Sequence, residues 1–269
     1  MRGWLKTGVL VVLAASSLAA HDTWLVPIPI DSGFRVTPGQ PVQVALNTSE
    51  DFPASEAAAA PDRVARFETV TASARAAVTG YRVEEKSLVA DVTPGSGLTL
   101  VAAVTHPRLI VLEAPIFTEY ITEEGLEQIV AARAARGESG KAGRERYSKV
   151  TKLALCAEGE GADFRRPLGL QVEIVPETKP CGLRVGDTLR VQVLFEGRPL
   201  ANARVGAGYA GVHGHHYPVW VKTDAEGRAA IPLDRAGAWF VRSLHMIPST
   251  EFEDADWQSW FSTLTFEVR

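Results

Sequence analysis

His21, His213, His215, His216 and His245 are the residues whose type and placing could do chemistry in this chain. His21 follows Ser16-Ser17-Leu18-Ala19-Ala20, a run of small residues of the kind signal peptidase cuts. A cut after Ala20 leaves His21 first, so that its α-amine and a ring nitrogen can chelate one metal together. A cut after Ala19, which Ser17 favours over Leu18 as the small residue three places before the cut, leaves the Ala20 amine, the His21 amide and the imidazole in a squarer set. Nitrogen donors of this borderline softness suit copper, nickel or cobalt. A terminal histidine with no ligand is the competing possibility.

The densest group is Val212-His213-Gly214-His215-His216-Tyr217. On a strand His213 and His215 share one face and His216 takes the other. A turn at Gly214 can bring all three together, and three imidazoles without thiolates suit a divalent transition metal. An exposed polar hairpin tip accounts for the same residues equally well. His245 lies near the acidic stretch of Glu251, Glu253, Asp254 and Asp256. It can support either group across an interface, or make ordinary hydrogen bonds as a core histidine. His106, before Pro107 at a strand start, reads as structural.

Other chemistries find no support. No nucleophile elbow, phosphate loop, HExxH or dinucleotide fingerprint occurs, so catalysis is not expected. The formal charge of −4 moves to −6 once Arg2 and Lys6 are removed, which suits cations and disfavours nucleic acid. Cys156 and Cys181 are the only cysteines, and in an oxidising compartment they pair most simply with each other. A thiolate metal site is the alternative.

The elements that must position these residues are mostly strands. Residues 1–20 read as a secretory signal: Arg2 and Lys6, then the apolar run from Gly8 to Ala15, far short of the about 20 residues that span a bilayer. Nothing downstream is apolar enough for a membrane-spanning helix. Strand candidates run from 42 to 46, 81 to 92, 98 to 105, 109 to 112, 189 to 195, 204 to 209, 219 to 222, 228 to 233, 239 to 245 and 262 to 268, divided by Gly/Pro/Asp turns. Two helices are predicted. One covers 122–136, with Thr122 as cap and Leu126, Ile129 and Val130 on one face. The other covers 143–157, where Tyr147, Val150 and Ala154 fall at helical spacing. The cations Lys141, Arg144, Arg146, Lys149 and Lys152 then form a solvated face, or one turned to a membrane or partner. Trp239, Trp257 and Trp260 read as core. The fold expected is all-β: two β-sandwich domains, 21–180 with the helical insertion and 181–269 immunoglobulin- or transthyretin-like.

One resemblance runs through the whole mature chain. Phe117-Thr118-Glu119-Tyr120-Ile121-Thr122-Glu123-Glu124-Gly125-Leu126 resembles the FxxYLxEEGL signature of an uncharacterised family described as the periplasmic component of cobalt/nickel transport. His21-Asp22-Thr23-Trp24-Leu25, Arg144-Glu145-Arg146-Tyr147-Ser148-Lys149, Leu170 to Pro176, Gly197 to Ala201, Thr223 to Arg228, and Asp256 to Trp260 through Phe266 resemble its other motifs in order. The Cys156/Cys181 pair is not part of that pattern. The resemblance implies a periplasmic, non-catalytic protein that binds nickel or cobalt for uptake or homeostasis, with an inner-membrane permease or an outer-membrane receptor as partner. Two alternatives stay open: a redox-active copper protein with a histidine brace, and an interaction module whose histidines are incidental.

Overall fold

The computed structural model describes residues 21–214 and 216–269; the expected signal and His215 lie outside the described residues. In chain order come β1 (Asp22–Ile28), β2 (Val42–Ser49), β3 (Val64–Val70), β4 (Arg75–Ala77), β5 (Arg82–Glu84), β6 (Ser87–Val92), β7 (Leu98–Thr105) and β8 (Arg108–Leu112). Two helices follow, α1 (Ala114–Glu123) and α2 (Glu127–Ala135), and then β9 (Gly143–Cys156) and β10 (Val172–Pro176). The chain closes with β11 (Thr188–Phe195), β12 (Arg198–Pro199), β13 (Arg204–Tyr209), β14 (Val219–Lys222), β15 (Arg228–Pro232), β16 (Gly237–Pro248) and β17 (Trp257–Val268). The all-β expectation holds, and the strand candidates fall on β2, β5 to β8, β11 and β13 to β17.

A nine-stranded sheet in the order β14-β13-β16-β17-β9-β7-β3-β4, with β8 also on β9, is the centre of the molecule. Its β17–β9 pair is parallel, Trp257 opposite Glu145 through Thr265 opposite Leu153, while its other pairings are antiparallel. Strands from both sides of residue 180, the expected domain boundary, therefore belong to one sheet. A four-stranded sheet, β1-β2-β6-β5, packs on one face through Trp24, Leu46 and Val89 against Phe67, Leu153 and Phe240. Another, β10-β11-β12 with β15 on β11, covers the opposite face through Ile174, Val191 and Ile231 against Leu100, Val150 and Leu264.

The helix expected at 143–157 is strand β9 instead. It lies in the middle of the large sheet with both faces covered, so its apolar residues do not alternate with polar ones. Tyr147 and Val150, which helical spacing would put together, belong to different apolar clusters. Nor are its cations a solvated face. Lys149 and Lys152 are buried, Lys152 against Glu173 at 2.9 Å, while Arg144 and Arg146 pair with Asp256 and Asp254. The helix expected at 122–136 is two helices. Thr122 lies in the last turn of α1, and the chain breaks at Gly125, whose φ of +69° is left-handed. The Leu126 amide then donates back to the Ile121 carbonyl at 2.9 Å, which closes α1 before α2 begins. Leu126 and Ile129 are buried, as their spacing implied. Trp239, Trp257 and Trp260 are all buried.

Cys156 and Cys181 form a disulfide, joining the end of β9, rather than a second helix, to the segment before β11.

Candidate functional site

Both helices pack on the same face of the large sheet as β1 and β2, because Tyr147, Phe261 and Met246 support the helices while Leu153 and Phe240 support the small sheet. Strand residues two apart share a face, so Glu145, Lys149, Ser259, Thr263 and Arg242 also point into this layer. They make a polar seam between two apolar clusters, and all five are buried. His21 and Asp22 enter at one end of the seam with β1.

Each polar group in the seam has specific partners. Arg242 Nε donates to Asp22 Oδ1 at 3.0 Å, and its two terminal nitrogens donate to both Glu124 oxygens at 2.5 and 3.1 Å. Tyr217 Oη donates to Asp22 Oδ2 at 2.5 Å. Burial works against the Arg242 charge, but Asp22 and Glu124 outweigh it and hold its pKa well above the ordinary arginine value. Burial also drives the Tyr217 hydroxyl upward, with Asp22 adding to it, so this phenol stays protonated. Tyr120 and Ser259 donate to Glu145 Oε1, and burial pushes that carboxyl up to about 7. Burial pulls Lys149 down to about 7; its Nζ donates to the His21 carbonyl at 2.6 Å and lies 3.4 Å from the Phe261 ring centroid.

The mouth of the site is formed by the bend after β2. His21 Nε2 lies 3.1 Å from Glu50 Oε1, and His21 Nδ1 lies 3.6 Å from Glu56 Oε2. That Nδ1 is buried and has no hydrogen-bond partner. The next residue, Asp51, accepts from the Gly214 amide at 3.1 Å and lies 3.2 Å from His213 Nδ1. The Gly214 bond, then His213, lower the Asp51 pKa. Consecutive acids thus touch the two histidine groups that are about 190 residues apart in sequence. Beside them opens a cavity of about 460 Å³, lined among others by Glu50, Glu123, Glu124, Arg204, His216 and Trp220. The Arg204 guanidinium stacks 3.8 Å from the Trp220 ring centroid and donates to the Glu123 carbonyl.

His21, His213 and His216 therefore gather at one rim. His245 does not join them: it packs on Phe195, ring centroids 4.5 Å apart, and lines a different cavity with Gly125, Leu126 and Leu200. Burial lowers its pKa to about 4. Among the described residues, no three His, Cys, Asp or Glu side chains are drawn close enough to hold a metal ion. Nothing in the sequence marks the acids of the site as functional, although Asp22 and Glu124 stand inside its motifs: Asp22 follows His21, and Glu124 lies two residues before the end of the run from Phe117 to Leu126. Arg242, Glu50, Asp51 and Glu56 carry no such signal.

Residues 18–247 match a family described as a domain of unknown function, DUF4198. The chain belongs to the DUF4198 family. The match spans β1 through nearly all of β16, and so takes in Asp22, Glu124, Glu145, Lys149 and Arg242, the acidic bend and the histidine loop, while Ser259 and Thr263 of the seam lie beyond it. No curated protein matches the chain. Among solved structures, the D0-D1 domain of Intimin is 12% identical over 91% of this chain and 97% of that one, at a TM-score of 0.20. The D00-D0 domain of Intimin is also 12% identical, over 91% of this chain and 99% of that one, at a TM-score of 0.19. Superposition this poor bears on neither the fold nor the function of the DUF4198 chain.

Proposed function

We propose that this DUF4198 protein is exported to the periplasm and binds a divalent transition metal, nickel or cobalt, reversibly at the rim formed by His21, Glu50, Glu56, Asp51, His213 and His216, in the service of metal uptake or homeostasis. The observation that carries this is the meeting of the two histidine groups on Glu50 and Asp51. The buried His21 Nδ1 has no hydrogen-bond partner, so a cation bound beside it would displace none. Carboxylates on both sides of the ring, Glu50 and Glu56, add negative charge and further oxygen donors.

The donors stand in pairs rather than in a set of three, so a metal would gather them by a shift of the loop that carries His213 and His216. Loops absorb such shifts at little cost to the core. Reversible binding also favours a site that is not fully assembled, since ordering the loop costs part of the binding free energy. Mixed imidazole and carboxylate donors suit nickel or cobalt; a copper brace needs a second histidine at His21, whose ring nitrogens face Glu50 and Glu56. Isothermal titration of untagged mature protein with nickel, cobalt and copper tests this. Saturable binding of nickel or cobalt that is lost in Glu50→Gln/Glu56→Gln is the expected result. Binding of none of the three metals leaves the module with incidental histidines as the better reading.

A further inference from the structure

Beside Lys149 and Tyr147 opens another, smaller cavity, of about 210 Å³, apart from the histidine rim. Its charged lining residues are Arg63, Arg108 and Lys149, and no carboxylate lines it. Thr23, Thr48 and Thr105 add hydroxyls, and the alanines at 57–60 form an apolar wall.

The cations are held there by the fold. Arg63 ends a short 3-10 turn, Pro61–Arg63, at the start of β3. Its Nη2 reaches Thr105 Oγ1 at 3.5 Å, and its guanidinium lies over the Tyr147 ring, 5.6 Å from the centroid. Its Nη1 is buried and meets no acceptor. Burial lowers the Arg63 pKa; Tyr147 opposes it, Arg108 lowers it further and Asp62 raises it. Arg108 is exposed at the start of β8, across from Tyr147 of β9. Lys149 reaches the cavity from within the seam, fastened at the His21 carbonyl.

We propose that this cavity is a ligand site for a small aliphatic carboxylate, its anionic end held by Arg63 and Arg108 and its short chain laid against the alanines at 57–60. Two arginines, Arg63 and Arg108, on one lining favour an anion. The planar fork of arginine matches a carboxylate with two parallel hydrogen bonds. The alanine wall favours a ligand with a carbon chain over a bare inorganic ion. A volume of about 210 Å³ equals about seven waters, room for a carboxylate of a few carbons.

The test is isothermal titration of the mature protein with butyrate and, separately, with inorganic phosphate. Butyrate is expected to bind saturably and more tightly than phosphate. Arg63→Gln should weaken it by about tenfold, the equivalent of one charged hydrogen bond. Ala58→Leu, which narrows the apolar wall, should weaken butyrate more than phosphate. If Arg63→Gln fails to fold, judged by circular dichroism, Arg108→Gln at the exposed edge takes its place. No saturable binding of butyrate, butyrate affinity unchanged in the arginine variant, or phosphate binding more tightly with no effect of Ala58→Leu would each overturn the assignment.

Discussion

Arg242 of β16 donates to Asp22 of β1 at 3.0 Å across 220 residues of sequence, and with Glu124 at the end of α1 it makes a buried triad of one cation and two carboxylates. The contact fastens the first strand and the helical layer to the same strand of the large sheet. Its removal leaves two buried carboxylates without their cation.

Arg242→Met is therefore expected to destabilise the protein by about 3–5 kcal/mol, as breaking a buried ion pair does. Urea unfolding followed by tryptophan fluorescence measures it. A loss under about 1 kcal/mol would show that water reaches the seam and screens the pair.

The Cys156–Cys181 bridge closes 25 residues of chain. The chain-entropy argument assigns such a loop about 3 kcal/mol. The double variant Cys156→Ser/Cys181→Ser should fold, because the β9 pairings remain, but with a lower Tm. Thiol labelling of denatured, unreduced wild-type protein should find no free thiol.

His245 gives a pH signature of its own. Burial lowers its pKa from 6.5 to about 4. Between those values the unfolded chain binds a proton that the folded chain does not, so stability is complete above about pH 6.5 and is lost as the pH falls through 4. The loss amounts to about 2 kcal/mol once partial exposure is allowed for. In His245→Phe, which keeps a ring against Phe195, the fall in Tm between pH 7 and pH 4 should be smaller than in the wild type. An equal fall in both proteins would assign the acid sensitivity elsewhere.

At the rim, His213→Ala/His215→Ala/His216→Ala should weaken nickel or cobalt binding by about tenfold or more while leaving Tm nearly unchanged, because His213 and His216 are exposed on a loop. Protons compete with the metal for imidazole and carboxylate donors, so affinity should fall on acidification. Leaving one extra residue before His21 should alter affinity or absorption spectrum if the α-amine is a ligand. Intact mass of the periplasmic protein tells whether the chain begins at Ala20 or His21; a start at Asp22 or beyond would remove the His21 donor.

The sequence by itself determined the all-β class, the position of most strands, the pairing of the two cysteines and the residues that open the site. Alternation and turn residues report half-buried strands directly, and β11 with Leu189, Val191 and Val193 buried is such a case. Only the tertiary structure decided that β9 is a strand. A strand covered on both faces has no polar side to alternate with, and Tyr147, Val150 and Ala154 then imitate a helix. Tertiary structure also decided where Lys149 and Lys152 go, since a cation can be buried only where remote partners such as Glu173 and the His21 carbonyl meet it. The same holds for the site. His21 and His213 are legible as donors by residue type, but Glu50 and Asp51 become their neighbours through the β1–β2 pairing and the folding of the 211–218 loop onto that bend. Pairings between distant segments leave no local period in a chain, so the seam through Arg242, Asp22 and Glu124 takes shape only when the sheets close around it.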